Sequence, residues 1–162
     1  MGLIRNAVEQ GRQAIESIRS YNAHRAPLDV VIVGAGPAGF SASLAAMQHK
    51  LRAVTIEQES LGGRVFHYPR AKIVMLQSAT LPLVGKVKLT SASKESLLEF
   101  WQGIERKTGV KIHYHERMDS IVKTDGGFLV KTSKGSYETR TVLLAVGRGG
   151  DAALEAAHRL AE

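Results

Sequence analysis

The sequence Asp29-Val-Val-Ile-Val-Gly-Ala-Gly-Pro-Ala-Gly-Phe-Ser-Ala-Ser-Leu-Ala-Ala-Met-Gln-His49 decides the fold. An apolar run, Val30 to Val33, predicts a β-strand and leads into a glycine-rich turn, Gly34 to Gly39. An alanine-rich stretch that predicts a helix follows at once. This order of strand, turn and helix is the setting in which Gly-x-Gly-x-x-Gly indicates a dinucleotide-binding turn. Because a helix start presents free N–H groups to an anion, the sequence predicts a phosphate site here.

Each glycine of this turn has an expected role. Gly34 permits the tight turn, Gly36 lets the backbone approach a pyrophosphate, and Gly39 lets the helix pack closely on the strand. Proline suits the first helical turn because its missing N–H removes no hydrogen bond there. We therefore expect the whole turn to bind a cofactor, through Gly34, Gly36, Pro37, Ala38 and Gly39.

A second apolar strand, Ala53 to Ile56, ends at Glu57. Its distance from Gly34 is close to the spacing of about 20 residues expected for a ribose-binding acid. A carboxylate there accepts hydrogen bonds from ribose hydroxyls and repels a 2′-phosphate. The expected nucleotide is therefore of the NAD or FAD type and not NADP. The alternative is a glycine-rich turn in an α/β protein that binds nothing.

Length and composition restrict the class of protein. The 162 residues, 44% of them hydrophobic, predict about one domain with a real core. No stretch reaches the roughly 18 apolar residues of a membrane span, and no apolar signal core begins the chain, so we expect a cytoplasmic location. The absence of cysteine excludes disulfides, iron–sulfur clusters and a dithiol redox centre in this chain. The net charge of +7 is scattered without interleaved aromatic residues, so we expect no nucleic-acid partner.

The chain begins with a helical pattern that precedes the nucleotide-binding region. Isoleucine and valine side chains recur at helical spacing over residues 3 to 20, with charges of both signs between them. Tyr21 to Pro27 is expected to be a linker, which divides the chain into residues 1–27 and a nucleotide-binding domain of residues 28–162. We expect the helix to pack on the domain or on a second subunit.

The second half predicts further elements. Residues 77 to 92 show no clear period, and a helix is predicted from Ser93 to Lys107. Turn signals then separate short strands that suggest a small antiparallel meander inserted into the fold: Lys111–His115, Ser120–Thr124, Phe128–Thr132 and Tyr137–Thr139. A buried parallel strand follows at Thr141 to Val146, and a closing helix is expected over residues 151–162.

Three smaller signals admit alternatives. The sequence Gly147-Arg-Gly-Gly-Asp-Ala152 echoes the first glycine turn, as a second phosphate-facing turn or as a tight strand-to-helix connection. Asp29 is expected to be a solvated strand end. His113 and His115 share a strand face, but no third ligand of suitable spacing appears, so we expect solvent-facing residues and no metal.

With these pieces in place, the chain resembles the FAD domain of thioredoxin-reductase-like flavoproteins. These are a branch of the pyridine nucleotide-disulfide oxidoreductases that includes cysteine-free ferredoxin–NADP reductases. The resemblance covers about residues 28 to 148 and rests on four pieces: Val31-Ile-Val-Gly-Ala-Gly-Pro-Ala-Gly39, Glu57 followed by Leu61-Gly-Gly-Arg64, His67-Tyr-Pro69, and Thr141-Val-Leu-Leu-Ala-Val-Gly147.

Together with the residue patterns above, the resemblance predicts an α/β fold. It has a Rossmann-like parallel sheet with the inserted meander, and the helix predicted over residues 3 to 20 is an extra N-terminal element. The resemblance implies FAD in extended form, with the pyrophosphate on Gly36 to Gly39 and the adenosine ribose on Glu57. The ribityl chain and flavin would lie along a second glycine-containing loop: Gly62, Gly63, Arg64, Val65 and His67. The backbone of Met118 would meet the adenine. The expected site is completed by Gln58, Ala145, Gly147 and Asp151, the last towards the ribityl hydroxyls.

The chain also departs from the family pattern. The family's NAD(P)H domain follows the strand that ends here at Gly147, and we expect nearly all of it to be missing. Residues 149 to 157 look like the opening of that domain joined by a deletion. We therefore expect a truncated flavoprotein domain, with an undefined redox partner and incomplete for NAD(P)H turnover. The alternatives are a non-catalytic NAD- or ADP-binding module and a cofactor-free oligomeric scaffold, and the N-terminal helix is compatible with a homodimer.

Overall fold

The computed structural model describes residues 3–20, 26–60, 73–75, 78–87, 91–147 and 151–161. Within these ranges the helices are α1 Leu3–Arg19, α2 Pro37–Gln48, α3 Lys94–Thr108 and α4 Asp151–Ala161. The strands are β1 Leu28–Val33, β2 Ala53–Ile56, β3 Ile73–Met75, β4 Ala79–Leu81, β5 Gly85–Val87, β6 Ser91–Ser93, β7 Met118–Thr124, β8 Gly127–Thr132 and β9 Ser136–Leu144.

The main sheet has the strand order β2-β1-β9-β8-β7. Strand β1 runs parallel to both β2 and β9, whereas β8 is antiparallel to β9 and β7. Two small antiparallel pairs, β3 with β6 and β4 with β5, lie outside this sheet. The predicted α/β, Rossmann-like class with an antiparallel meander and an N-terminal helix is confirmed.

The meander differs from the prediction because it is continuous with the parallel sheet. Residues 136–139 of β9 pair with β8, and residues 139–144 pair with β1, so one strand replaces the two that were predicted. Arg140 lies between the two strands that the sequence predicted. Its guanidinium reaches out of the sheet and donates to the carbonyl oxygen of Ile18 in α1 at 3.2 Å.

The segment 111–115 was wrongly assigned to the meander. Its one bridge is parallel and joins His113 to Ile56 of β2. The His113 N–H donates to the Thr55 carbonyl oxygen, and the Glu57 N–H donates to the His113 carbonyl oxygen, both at 2.9 Å. The segment therefore extends the parallel side of the sheet, next to β2 and the acid that follows it.

The two faces of β1 bury alternate side chains, as the strand periodicity requires. Val30 and Ile32 face α2 and, beyond it, α1, in a cluster with Ile15, Ile18, Ala42, Ala45 and Ala46. Val31 and Val33 face the cluster that contains α4 and the strands of the meander. Helix α3 completes the first face. Its Trp101 is part of the core and packs edge-on against Phe40, with ring centroids 5.0 Å apart.

The N-terminal helix packs on the domain itself. Residues Gly39 to Ala46 of α2 are all buried, because the sheet covers one side of α2 and α1 covers the other. Among the described residues, no helix is both long and apolar enough to cross a membrane.

Asp29 corrects another expectation, because its side chain is buried and not solvated. Its carboxylate accepts hydrogen bonds from the Arg52 backbone N–H at 2.8 Å and from the Arg52 guanidinium at 3.2 Å. Burial alone raises the pKa of Asp29, but the hydrogen bonds from Arg52 outweigh burial and hold that pKa below its ordinary value. This carboxylate therefore ties the beginnings of β1 and β2 together as an ion.

Candidate nucleotide-binding site

The glycine turn lies at the carboxyl ends of β1, β2 and β9. Gly34 donates its N–H to the Ile56 carbonyl oxygen at 2.8 Å, and Ala145 donates its N–H to the Val33 carbonyl oxygen at the same distance. Gly34 has a φ of +106°, and a Cβ there would lie 2.9 Å from the Ala145 carbonyl carbon. Both the backbone conformation and the neighbouring strand therefore require glycine at this position.

Gly39 and Gly36 differ in what surrounds them. A Cβ on Gly39 would lie 2.7 Å from the carbonyl carbon of Gly34, so only glycine lets α2 approach the end of β1 this closely. This confirms the packing role predicted for Gly39. Among the described residues, no atom would lie within 4 Å of a Cβ on Gly36. These residues therefore leave the space beside Gly36 open to a ligand.

Gly36 is also the N-cap of α2. The Phe40 N–H donates to the Gly36 carbonyl oxygen at 2.8 Å as the first helical bond, and no side chain caps this end in the described part of the chain. Pro37 has no N–H, which leaves Ala38 and Gly39 to present N–H groups at the helix start. The first turn of α2 thus has the donors and the dipole that favour an anion.

Glu57 lies directly beside this turn. The Glu57 side chain is 7% exposed. Its Oε2 accepts the Ala35 N–H at 2.7 Å, and its Oε1 accepts the Glu59 N–H at 3.0 Å. Each carboxylate oxygen has two lone pairs, so both retain acceptor capacity after these bonds. The predicted ribose-binding acid and the predicted phosphate turn therefore form one site.

Glu116 holds Glu57 in place through its backbone, and no local pattern in the sequence predicts this role. Its backbone N–H donates to the Glu57 carbonyl oxygen at 2.9 Å. Its side chain is 2% exposed and accepts hydrogen bonds from Thr132 at 2.6 Å and from the Tyr137 hydroxyl at 2.8 Å, with His113 Nδ1 at 3.3 Å from the other oxygen. Glu57, at the end of β2, is thereby linked through Glu116 to β8 and β9.

The charges in this network are set by burial and hydrogen bonding. Burial alone raises the pKa of Glu116, but its hydrogen bonds from Thr132, Tyr137 and His113 outweigh burial and lower that pKa. Burial and the neighbouring Glu116 carboxylate raise the pKa of Tyr137 to about 12. Glu116 is therefore ionised and Tyr137 is a neutral donor at ordinary pH.

The remaining predicted residues fall into four groups. Ala145 borders the turn, since a Cβ on Gly39 would lie 3.4 Å from the Ala145 Cβ. Gln58, which follows Glu57, and Gly147, two residues after Ala145, are both exposed. The Met118 side chain is 7% exposed in the cluster that contains Val31, so it packs in the core and leaves only its backbone to meet a ligand. Asp151 begins α4. The other predicted site residues lie outside the described residues: Gly62, Gly63, Arg64, Val65 and His67.

Both predicted histidines are exposed, as expected, but His113 also bonds to Glu116 and Tyr137. In the described ranges, no group of three His, Cys, Asp or Glu side chains could hold a metal ion. Fold and site together define a dinucleotide-binding domain of the Rossmann-like α/β class.

Comparison with known proteins identifies the family. A family model described as pyridine nucleotide-disulphide oxidoreductase matches residues 31–155. The chain belongs to this family. It resembles the domain of these proteins that binds their cofactor, FAD. The resemblance stated from the four sequence pieces is thereby confirmed.

Two curated relatives are named ferredoxin–NADP reductase. The protein from Levilactobacillus brevis is 33% identical over 123 residues, which are 75% of this chain and 34% of the relative. The protein from Acholeplasma laidlawii is 32% identical over 125 residues, covering 76% of this chain and 36% of the relative. The chain therefore spans about a third of the length of these relatives.

Solved structures show the same fold. The bacillithiol disulfide reductase from Staphylococcus aureus superposes with a TM-score of 0.66 at 21% identity, covering 73% of this chain and 38% of that chain. Thioredoxin reductase from T. acidophilum superposes with a TM-score of 0.56 at 28% identity, covering 72% and 34%. In both cases the match ends well short of the whole neighbour.

Proposed function

We propose that this chain is the FAD-binding part of a flavoprotein oxidoreductase. The observation that carries the proposal is the hydrogen bond between the Ala35 N–H and the Glu57 carboxylate, because it joins a phosphate turn and a ribose acid in one site. Family membership supports FAD as the dinucleotide. The described residues leave the side of Gly36 open and provide no side-chain cap for α2, which also supports the proposal.

The residues present fit an adenine dinucleotide. The first turn of α2 and the open side of Gly36 would hold the pyrophosphate. The free lone pairs of Glu57 would accept the ribose hydroxyls, and the carboxylate would repel a 2′-phosphate. We keep Gly62 to Val65 and His67 as proposed flavin contacts, with the Met118 backbone as the proposed adenine contact.

FAD supplies hydride and electron transfer when bound, and the protein supplies position and electrostatics. The residues of this site therefore bind and orient, and none of them has to act as an acid or a base. We assign the chain FAD binding within residues 28–162, and the matched region covers about a third of the length of the reductases. The homodimer and the cytoplasmic location stay predictions.

The test is the visible absorbance spectrum of the purified chain. We expect the bands of oxidised flavin, and release with denaturant followed by chromatography should identify FAD in a 1:1 ratio to protein. Gly36→Ala is the variant to compare with the wild type, because its methyl group occupies only the open side of the turn. We expect this variant to fold like the wild type and to bind FAD more weakly. A colourless protein that also fails to take up added FAD would refute the proposal, and uptake of ADP or NAD without FAD would favour the simpler binding module.

A further inference from the structure

Helix α1 lies outside the segment that the family model matches, yet it contacts the first turn of α2 at backbone level. Gly11 faces that turn. A Cβ on Gly11 would lie 3.0 Å from the carbonyl carbon of Ala38 and 3.2 Å from the Ala42 nitrogen, and closer still to the Ala38 carbonyl oxygen. These neighbours are backbone atoms of a helix and cannot rotate away. The two helices are therefore in direct contact at Gly11.

A buried hydrogen bond fixes the same place. The Ser41 hydroxyl donates to the carbonyl oxygen of Val8 at 2.7 Å, and neither residue is more than 2% exposed. Further along, His49 Nε2 lies 2.8 Å from a carboxylate oxygen of Glu16. Helix α1 is thus attached to α2 at both ends of α2.

The contact at Ala38 concerns the phosphate site directly. Ala38 is the second residue of α2, so its N–H belongs to the donors that the helix start presents to an anion. A displacement of the peptide groups around Ala38 shifts these donors relative to Glu57, which is fixed to Ala35 on the other side. The separation between the phosphate donors and the ribose acid therefore depends on where α1 holds the first turn.

We propose that α1 is a positioning element of the pyrophosphate site, through Gly11 of α1 and through Ser41 of α2, which bonds to α1. This inference rests on the proposed nucleotide function and adds a determinant that lies outside the glycine turn itself. The competing explanation is that α1 only covers the apolar surface of α2 through Ile15 and Ile18. In that case its contacts stabilise the fold and do not tune phosphate binding.

The experiment compares Gly11→Ala with Gly103→Ala in the full chain. Both glycines lie inside helices, but a Cβ on Gly103 of α3 would meet no atom within 4 Å in the part of the chain that the structure describes. Alanine favours a helix over glycine at both positions. The two variants therefore share the same helix effect and differ in the contact with Ala38.

The readout is the ratio of two affinities measured by calorimetry. Adenosine carries the base and ribose without phosphate, whereas ADP adds the pyrophosphate. We expect Gly11→Ala to weaken ADP binding about tenfold and adenosine binding by less than twofold, and Gly103→Ala to change neither. Equal losses for both ligands, or no loss at all, would show that α1 has a structural role only.

Ser41→Ala keeps the inference testable if Gly11→Ala fails to fold. It removes one buried hydroxyl without adding volume. The control is Thr108→Val in α3, which also removes a hydroxyl bonded to a helix carbonyl, since the Thr108 hydroxyl donates to the Ile104 carbonyl oxygen at 2.7 Å. We expect Ser41→Ala to weaken ADP binding selectively, about threefold, and Thr108→Val to leave it unchanged. Wild-type chain that binds neither ADP nor FAD would refute the proposed function as well, whereas normal wild-type binding with unselective variants would refute only the role of α1.

Discussion

The Ala35 N–H donates a 2.7 Å hydrogen bond to Oε2 of Glu57 and thereby joins the turn after β1 to the acid after β2. The other oxygen, Oε1, accepts from the Glu59 N–H. Both oxygens of this side chain are therefore acceptors for backbone donors. A carboxylate satisfies this arrangement, whereas an amide would turn its NH₂ group towards one of the two N–H groups.

The first prediction concerns Glu57→Gln. We expect FAD affinity to fall about 10- to 100-fold, because a hydrogen bond to a charged group is worth about 1.5–3 kcal/mol. Titration of apoprotein with FAD, followed by flavin fluorescence, measures the change. Glu138→Gln on β9 is the control, since Glu138 is exposed and outside the site. Equal affinity of the Glu57 variant and the wild type would remove Glu57 from the ribose role.

The second prediction concerns acid stability at Asp29. Because Arg52 lowers the pKa of the folded Asp29 below its ordinary value of 3.8, the ionised form stabilises the native state above about pH 4. That contribution is lost as pH falls through the lowered pKa. We expect Asp29→Asn to lower the free energy of unfolding by about 1–2 kcal/mol at pH 7. This gap in unfolding free energy between the wild type and the variant should be smaller at pH 3.

Urea unfolding at the two pH values measures this gap. The control is Asp125→Asn in the β7–β8 turn, where the side chain is exposed and asparagine is also a favoured turn residue. A gap at Asp29 that does not change between pH 7 and pH 3 would contradict the ionic role of Asp29.

The third prediction concerns Tyr137 and Glu116. The pKa of Tyr137 is raised to about 12, so the neutral phenol stabilises the fold below about pH 10 and this contribution is lost as pH rises towards 12. We expect Tyr137→Phe to remove an ionisation near pH 12 from the ultraviolet titration of tyrosinate. Glu116→Gln should instead move that ionisation to lower pH, because it removes the negative charge that faces the phenol.

Tyr114→Phe is the matched control for this titration. The pKa of Tyr114 is also raised, by burial and by the carboxylate of Glu105. The Tyr114 hydroxyl donates a hydrogen bond to Oε2 of Glu105 at 3.0 Å. Its substitution should therefore leave the Tyr137 ionisation in place. A Glu116→Gln variant with an unchanged ionisation near pH 12 would show that the two side chains are not coupled.

The sequence predicted elements whose signals are local. The strand before Gly34, the turn, α2, β2 and Glu57 appear where they were expected. Helix α3 begins directly after Ser93, where the predicted helix starts, and the Ser93 hydroxyl caps it by accepting the Ser96 N–H at 3.1 Å. Each of these depends on residues within one or two turns of each other. The position of Glu57 beside the turn also followed, because the spacing of the motif encodes the adjacency of two parallel strands.

Partners distant in sequence were not predictable in the same way. Residues 111–115 have an alternating pattern that fits any strand, and only the pairing of His113 with Ile56 assigns them to the parallel side. The short strands β4 to β6 lie where the sequence shows no period, since three-residue strands are too short for one. Glu116 meets Thr132 and Tyr137 only after the chain returns through β8 and β9. Gly11 likewise shows no sign in the sequence of the carbonyl it faces.

The last prediction separates the two kinds of glycine in the turn. Gly39→Ala places a methyl group 2.7 Å from the Gly34 carbonyl carbon, so we expect a loss of about 1–3 kcal/mol in the free energy of unfolding. The methyl group added by Gly36→Ala meets no atom of the described residues within 4 Å, and the φ of −69° at this position suits alanine, so we expect unchanged stability. Since the open side is where a pyrophosphate would approach, FAD affinity should still fall about tenfold or more.

Thermal unfolding of the apoprotein and FAD titration of each variant distinguish these outcomes. A stable Gly36→Ala variant without FAD binding would mean that this glycine serves the ligand and not the fold. The Gly39→Ala variant should lose stability whether or not FAD is present, because the clash lies between α2 and β1. If Gly36→Ala bound FAD as tightly as the wild type, the pyrophosphate could not lie against Gly36, and the start of α2 would not be the phosphate site.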